Sequence, residues 1–268
     1  MVVRNGRLFL GIVLILLGGL FLLQTLGLIE VSLWGLIIPV FLIALGVWGI
    51  WGATQARRVP VSEHVSVSME GASRASVIVR YGAGRLHIRG GAAPGEALSG
   101  DFVAGMEYSA RREGDLLTLD LRRPPEAWVL MGIPWTWSRT PEWTFQLTND
   151  LPLSLRLETG ACESEIDLRE TQVHELRLQT GASATRLTLP ARAGSTRAEI
   201  EAGAASIVIR VPEGVAARIR ARGGLAEIAV DERRFPRVGS VHQSPDFETA
   251  AHRVDLDLQA GVGSVRVD

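Results

Sequence analysis

Two long apolar runs open the chain. Residues 8–29 and residues 33–52 contain no charged side chain. A bilayer core of about 30 Å takes roughly 20 helical residues, so each run predicts one membrane-spanning helix. Pro39 and the several glycines fit such helices, because neighbouring helices satisfy the freed backbone groups. Trp34, Trp48 and Trp51 stand near the ends of the second run, where indoles favour the interface. Only Glu30-Val31-Ser32 links the runs, which predicts a tight hairpin over residues 1–58. Arg4 and Arg7 precede it and Arg57 and Arg58 follow it. The positive-inside rule then places both ends in the cytoplasm, giving a multi-pass plasma-membrane protein whose C-terminal domain is cytoplasmic. A cleaved signal peptide is the competing reading, but its apolar region is usually about 7–15 residues and ends at small residues.

Beyond residue 59 the hydrophobic period changes to two. Leu155-Arg-Leu-Glu-Thr-Gly160-Ala is followed by Ile166-Asp-Leu168, and Leu176-Arg-Leu-Gln-Thr-Gly181-Ala by Leu187-Thr-Leu189. Ala198-Glu-Ile-Glu-Ala-Gly203-Ala, Arg218-Ile-Arg-Ala-Arg-Gly223-Gly and Val254-Asp-Leu-Asp-Leu-Gln-Ala-Gly261-Val repeat the theme. An earlier copy surrounds Gly82. Gly160, Gly181 and Gly203 are 21 and 22 residues apart. Each unit reads as a strand, a glycine bend and a second strand. Glycine permits positive φ or close backbone approach at such a bend. A period near 21 with two short strands predicts a β-solenoid over residues 59–268, each rung burying its apolar side chains on the next. The fold class is thus a membrane-anchored all-β protein.

Alternation sorts the faces. Leu155, Leu157, Leu176, Leu178, Ile200 and Ile219 should point inward. Arg156, Glu158, Arg177, Gln179, Glu199, Glu201, Arg218 and Arg220 should point outward, with Glu199 and Glu201 lying between Arg177 and Arg218/Arg220 if rungs stack in chain order. Two stretches break the period, residues 91–148 and Phe235 to Thr249. In the first, Glu107–Arg112 and Leu116–Leu121 predict a hairpin about Glu113-Gly114-Asp115. A Trp- and Pro-rich loop follows at 122–143. Its Trp128, Trp135, Trp137 and Trp143 either contact a membrane interface or a partner, or cap the open end of the solenoid.

Composition narrows the chemistry. The chain has a formal net charge of −1 and no lysine. No global field draws nucleic acid, and lysine-dependent Schiff-base or P-loop chemistry is excluded. Cys162 is the single cysteine, so no internal disulfide or multi-cysteine zinc site can form. The five histidines follow no metal-ligand spacing. His87, between Leu86 and Ile88, should face solvent. Glu163, Glu165 and Asp167 share one strand face, which suits surface charge more simply than acid–base work. No catalytic residue, cofactor or metal is expected.

The hairpin motifs Leu14-Ile-Leu-Leu-Gly18 and Trp34-Gly-Leu-Ile-Ile-Pro39 resemble the membrane segment of the LiaF-like proteins. The Leu-Arg-Leu-Glu-Thr-Gly160-Ala repeats, ending in Gln259-Ala-Gly-Val-Gly-Ser-Val-Arg-Val267, resemble the toast-rack β-repeat domain that follows it. The resemblance implies a bacterial envelope-stress protein that restrains a membrane sensor histidine kinase of a two-component system. It implies the lipid bilayer and such a kinase as partners, leaves homo-oligomers open, and carries no catalytic residues. This chain departs from the best-known members in having two spans rather than more. Two other classes compete: an extracytoplasmic adhesin or wall-binding solenoid, with the four tryptophans as glycan contacts, and a carbohydrate-acting β-helix enzyme using Glu163, Glu165 and Asp167.

Overall fold

The computed structural model describes residues 62–103, 105–123 and 141–268. The two predicted apolar helices, 8–29 and 33–52, and Trp128, Trp135 and Trp137 lie outside these residues. The chain divides into two compact units, Met1–Val59 and Pro60–Asp268. Among the described residues no helix is long and apolar enough to cross a membrane.

The second unit is built from long strands that bend at their middle: β2 (Arg74–Gly90), β7 (Pro152–Asp167), β8 (Gln172–Thr188), β9 (Ser195–Arg210), β10 (Ala216–Val230) and β13 (Arg253–Val267). These are the predicted units. Pairing runs through each bend, so a unit is one bent strand rather than two separate ones. Neighbouring units pair in parallel and in register, Leu155 beside Leu176 and Ile166 beside Leu187. The register shows how the core forms. Leu153, Leu155 and Leu157 are buried before the bend and Cys162, Ile166 and Leu168 after it, with Gly160 and Ala161 exposed between them. Burial shifts from odd to even positions across the corner, which keeps the apolar side chains of both arms in one core. The short turn Leu168–Thr171 returns the chain to the next rung, and Thr171 Oγ1 donates to Leu168 O at 2.8 Å.

The inward set is as the alternation predicts: Leu155, Leu157, Leu176, Leu178, Ile200 and Ile219 are all buried. The rung order is not. The sheet runs β2-β7-β8-β9-β13-β10, so the last unit in the chain is inserted between two earlier ones. Glu199 therefore lies beside Arg177 on one side and Asp257 on the other, and Arg218 and Arg220 do not flank Glu199 and Glu201. In the register, Asp255 separates Arg197 from Arg218, which direct contact of β9 with β10 would set together. The same insertion puts Asp257 beside Glu199, where Arg220 would otherwise stand, so cross-strand charge does not by itself select this order. The predicted Arg177–Glu199 pair forms at 3.2 Å.

The first rung is covered over both of its arms. The hairpin β4 (Glu107–Glu113) and β5 (Leu116–Arg122) matches the prediction, and β5 lies parallel to the first arm of β2. On the second arm, β6 (Glu142–Leu147) pairs with β2 and is followed by β3 (Glu96–Val103) and β1 (Ser62–Ser68). Trp143, Phe102, Phe145 and Tyr81 form an aromatic cluster beneath this cover. Trp143 meets Phe102 edge-on at 5.3 Å between ring centroids and Tyr81 at 4.9 Å. Trp143 is fully buried. It is a core residue, which removes it from the candidate interaction set, because alternation on β6 directs Trp143, Phe145 and Leu147 inward together. At the other end, β11 (Arg237–Val238) and β12 (Val241–Gln243) form a small hairpin against β10.

Candidate functional site at the glycine corner

The bends stack into a line. A Cβ added to Gly160 would lie 2.4 Å from Gly82 O, one on Gly181 3.0 Å from Gly160 O, and one on Gly203 3.0 Å from Gly181 O. Gly261 stands against Gly203 O and Gly224 against Gly261 O in the same way. These glycines are needed for close backbone approach rather than positive φ. At β10 the stacked glycine is Gly224. The predicted Gly223 lies in register with Ala260, on the inward row that includes Ala221 and Ile219.

Along this line runs an open trough of about 1000 Å³. Its wall is the outward residue two positions before each corner. In strand order these are Arg122, Arg80, Glu158, Gln179, Glu201, Gln259 and Arg222, each in register with the next. Arginines stand at both ends and carboxylates and amides in the middle. Arg80 Nε is 3.3 Å from Glu158 Oε2, and Gln179 Nε2 donates to Glu201 Oε2 at 2.9 Å. Adjacent strands are about 4.8 Å apart, so the trough repeats a polar group at that spacing. Such a row suits an extended partner lying across the strands, held by many small contacts.

One end of the trough is distinctive. β5 and β6 lie beside the two arms of β2, so together they form an incomplete rung. Arg122 is in register with Arg80, just before the corner of β2, and Glu142 with Arg85, just after it. The described ends of the Trp- and Pro-rich segment, Arg123 and Pro141, thus lie beside the glycine line. Its two anchors are firm. The Tyr81 hydroxyl is 2.8 Å from Pro141 O and 3.0 Å from Arg85 O, so its one hydrogen is shared between two carbonyls. Burial pushes the Tyr81 phenol well above its ordinary value. Arg123 is buried, donates from Nη1 to Ala83 O at 3.1 Å, and sits 5.8 Å from the Tyr81 ring centroid. Its burial lowers the guanidinium pKa.

The other predicted candidates disperse into ion pairs. Glu163, Glu165 and Asp167 do share one outward face, but each has its own basic partner. Glu163 is 3.6 Å from Arg85, Glu165 is 3.4 Å from His87 Nδ1, and Asp167 accepts from Arg169 Nη2 at 2.6 Å. His87 is half-buried rather than open to solvent, with Glu142 3.7 Å from its other ring nitrogen. Cys162 is buried, its Sγ 3.1 Å from Ser164 Oγ. Among the described residues no three His, Cys, Asp or Glu side chains are placed to hold a metal. Sequence reasoning misses the trough and the interrupted rung. A signal for the trough is present all the same: the outward Glu158 and Gln179 occupy the same place in successive repeats.

Residues 56–210 match the family described as the N-terminal domain of toast_rack. The chain belongs to the toast-rack family. Residues 1–57 match the LiaF transmembrane domain, so the toast-rack domain follows a LiaF-type membrane segment and the architecture is LiaF-like. The toast-rack match ends at Arg210, the last residue of β9. A crystal structure of a candidate cell adhesion protein from Clostridium sporogenes has the same fold, with a TM-score of 0.68 at 19% identity. The likeness covers 78% of this toast-rack chain and 98% of that one. A candidate adhesin from Bacteroides fragilis aligns with a TM-score of 0.23 at 10% identity over 78% of this chain and 96% of its own, which is too low to carry an argument. No curated protein matches.

Proposed function

We propose that this LiaF-like protein is a non-enzymatic regulator of a bacterial envelope-stress response. Its membrane segment brings the toast-rack domain next to a membrane partner of the sensor histidine kinase class, and the domain binds that partner's extended juxtamembrane chain along the corner trough. The observation that carries this reading is the direct join of a LiaF transmembrane domain, residues 1–57, to a toast-rack domain that starts at residue 56. The trough supports it, because a wall of carboxylates, amides and arginines without a nucleophile–base pair is suited to holding a chain and not to breaking a bond. The arginines on both flanks of the hairpin support a cytoplasmic position for the domain. Cross-linking in intact cells, followed by isolation of the protein from membranes, tests the partner. Recovery of a sensor kinase from the native chain, and its loss from a Glu158→Arg, Glu201→Arg double variant, is the expected result. Equal recovery from both would show that the trough is not the contact.

A second reading has one specific support, the cell adhesion name of the C. sporogenes structure with the same fold. On it the domain faces outward. Cys162 is too buried to report the side. A Ser240→Cys variant, at the exposed tip of the β11–β12 hairpin, should react with an impermeant maleimide only after cells are permeabilised. Labelling of intact cells would instead support the outward reading.

A further inference from the structure

The two ends of the rung stack are finished differently. At the β2 end both arms are covered, one by β5 and the other by β6. At the β10 end only Arg218 and Ile219 of the first arm pair with β12. The second arm, Leu225–Val230, pairs with β13 on one side, and no strand lies on its other side among the described residues. The inward side chains tell the same story. Val265 and Val267 on β13 and Ile207 and Ile209 on β9 are fully buried, whereas their register partners Ile228 and Val230 are only partly so. Leu225 is 84% exposed and its neighbour Val262 52%. Natural edge strands are blunted by lysine, proline, bulges or inward charges. Leu225-Ala-Glu-Ile-Ala-Val230 has none of these; Glu227 is its one charge and points outward.

We infer that this edge is covered by the same edge of a second copy, in a two-fold dimer with β10 antiparallel to β10 and Ile228 on the axis. The choice of occupant rests on self-complementarity, which a two-fold interface requires of a single surface. Antiparallel pairing keeps inward residues opposite inward residues only when the axis passes through one residue of the strand. An axis at Glu227 sets two carboxylates against each other. An axis at Ala226 places Ile228 opposite Gly224 and leaves Val230 against Arg222. An axis at Ile228 sets Ala226 against Val230 and Glu227 against Ala229, with apolar residues meeting on the core face and no like charges facing. That pairing uses the β10 edge of both copies, so assembly through this edge stops at two copies. The dimer does not depend on which partner the trough binds.

Cysteine cross-linking of the full chain in detergent or nanodiscs, in a Cys162→Ala background, reads the register directly. Residues directly opposite in an antiparallel pair are about 4.5–5.5 Å apart, within the usual Cα range for a disulfide of about 4.4–6.8 Å. Diagonal neighbours at about 7–8 Å are not. Ile228→Cys should therefore convert most of the protein to a disulfide-linked dimer under mild oxidation. Glu227→Cys, one residue away and more exposed, should remain largely unlinked. Mass measurement should give two chains for the native protein and one for an Ala226→Lys variant. A monomeric native mass, equal linking at both positions, or linking at Glu227→Cys alone overturns the proposal. If Ala226→Lys fails to fold, the pair of cysteine variants still decides it.

Discussion

Beyond Gly82, every glycine of the corner line faces a backbone carbonyl where a Cβ would have to go, and at Gly160 that carbonyl is nearest. The 2.4 Å approach to Gly82 O cannot be relieved by rotating a side chain. At Gly181 and Gly203 the approach is 3.0 Å, which a small shift of the rung accommodates. Gly263 is worse placed than any of these, with φ +126° and a Cβ position 2.0 Å from Ala205 O. Alanine scanning across the corner should therefore give a graded result. Gly263→Ala and Gly160→Ala should each lose more than about 2 kcal/mol, and Gly181→Ala nearer about 1 kcal/mol, in denaturant unfolding of the detergent-solubilised chain. A second residue-scale expectation concerns acid. Hydrogen bonds from Arg169, together with its charge and that of Arg89, hold the Asp167 carboxyl below its ordinary value of 3.8. A depressed folded pKa means that the fold prefers the ionised form. Its contribution is fully present above the ordinary value and is lost as pH falls through the lower, folded one. Asp167→Asn should therefore lower the urea midpoint at pH 7, and the gap to the native chain should close as the pH drops below 3.8.

The strands themselves are largely legible in the sequence, since period-two alternation is a direct imprint of a pleated surface with one side in a core. Leu155, Leu157, Leu176 and Leu178 are buried because every second residue of a strand faces the same way. Trp143 misleads for an instructive reason. It sits at the end of a Trp- and Pro-rich segment and groups with that segment by composition, although Trp143, Phe145 and Leu147 alternate as a strand in their own right. Its position also leaves its indole Nε1 buried without an acceptor among the described residues, so its contribution is packing alone. Trp143→Ala should cost about 3–5 kcal/mol. Leu157→Ala, in the middle of the stack, should cost about 2–5 kcal/mol. Ile228→Ala should cost less than either in the monomer, because that side chain is only partly enclosed. Unfolding of the three variants in the monomeric Ala226→Lys background checks the ranking, and a loss at Ile228 equal to that at Leu157 there would mean that the edge is covered within the single chain.

At the scale of the whole molecule, the inserted rung matters most. Alternation could not reveal it, because each repeat carries the same inward and outward pattern and any two of them can be neighbours. The charges do not reveal it either: Asp255 fits between Arg197 and Arg218, but Asp257 falls beside Glu199, where a chain-order stack would place Arg220. The break of period from Phe235 to Thr249 supplies the chain length that lets β13 pass over β10 and return. In a stack built in chain order, removing the last unit exposes one new rung and leaves the others paired. Here β13 holds β10 to β9, and β10 contacts no other long strand. Ending the chain at His252, just before β13, should therefore release β10 as well. Ending it at Pro212, just past the Arg210 limit of the toast-rack match, should yield a more uniform product. Limited proteolysis of the two truncated chains in detergent tests this. The chain ending at His252 should be trimmed rapidly back to the region of Val211–Val215, whereas the chain ending at Pro212 should resist at the same protease concentration. Equal resistance, or survival of β10 in the longer chain, would mean that β10 can dock on β9 directly.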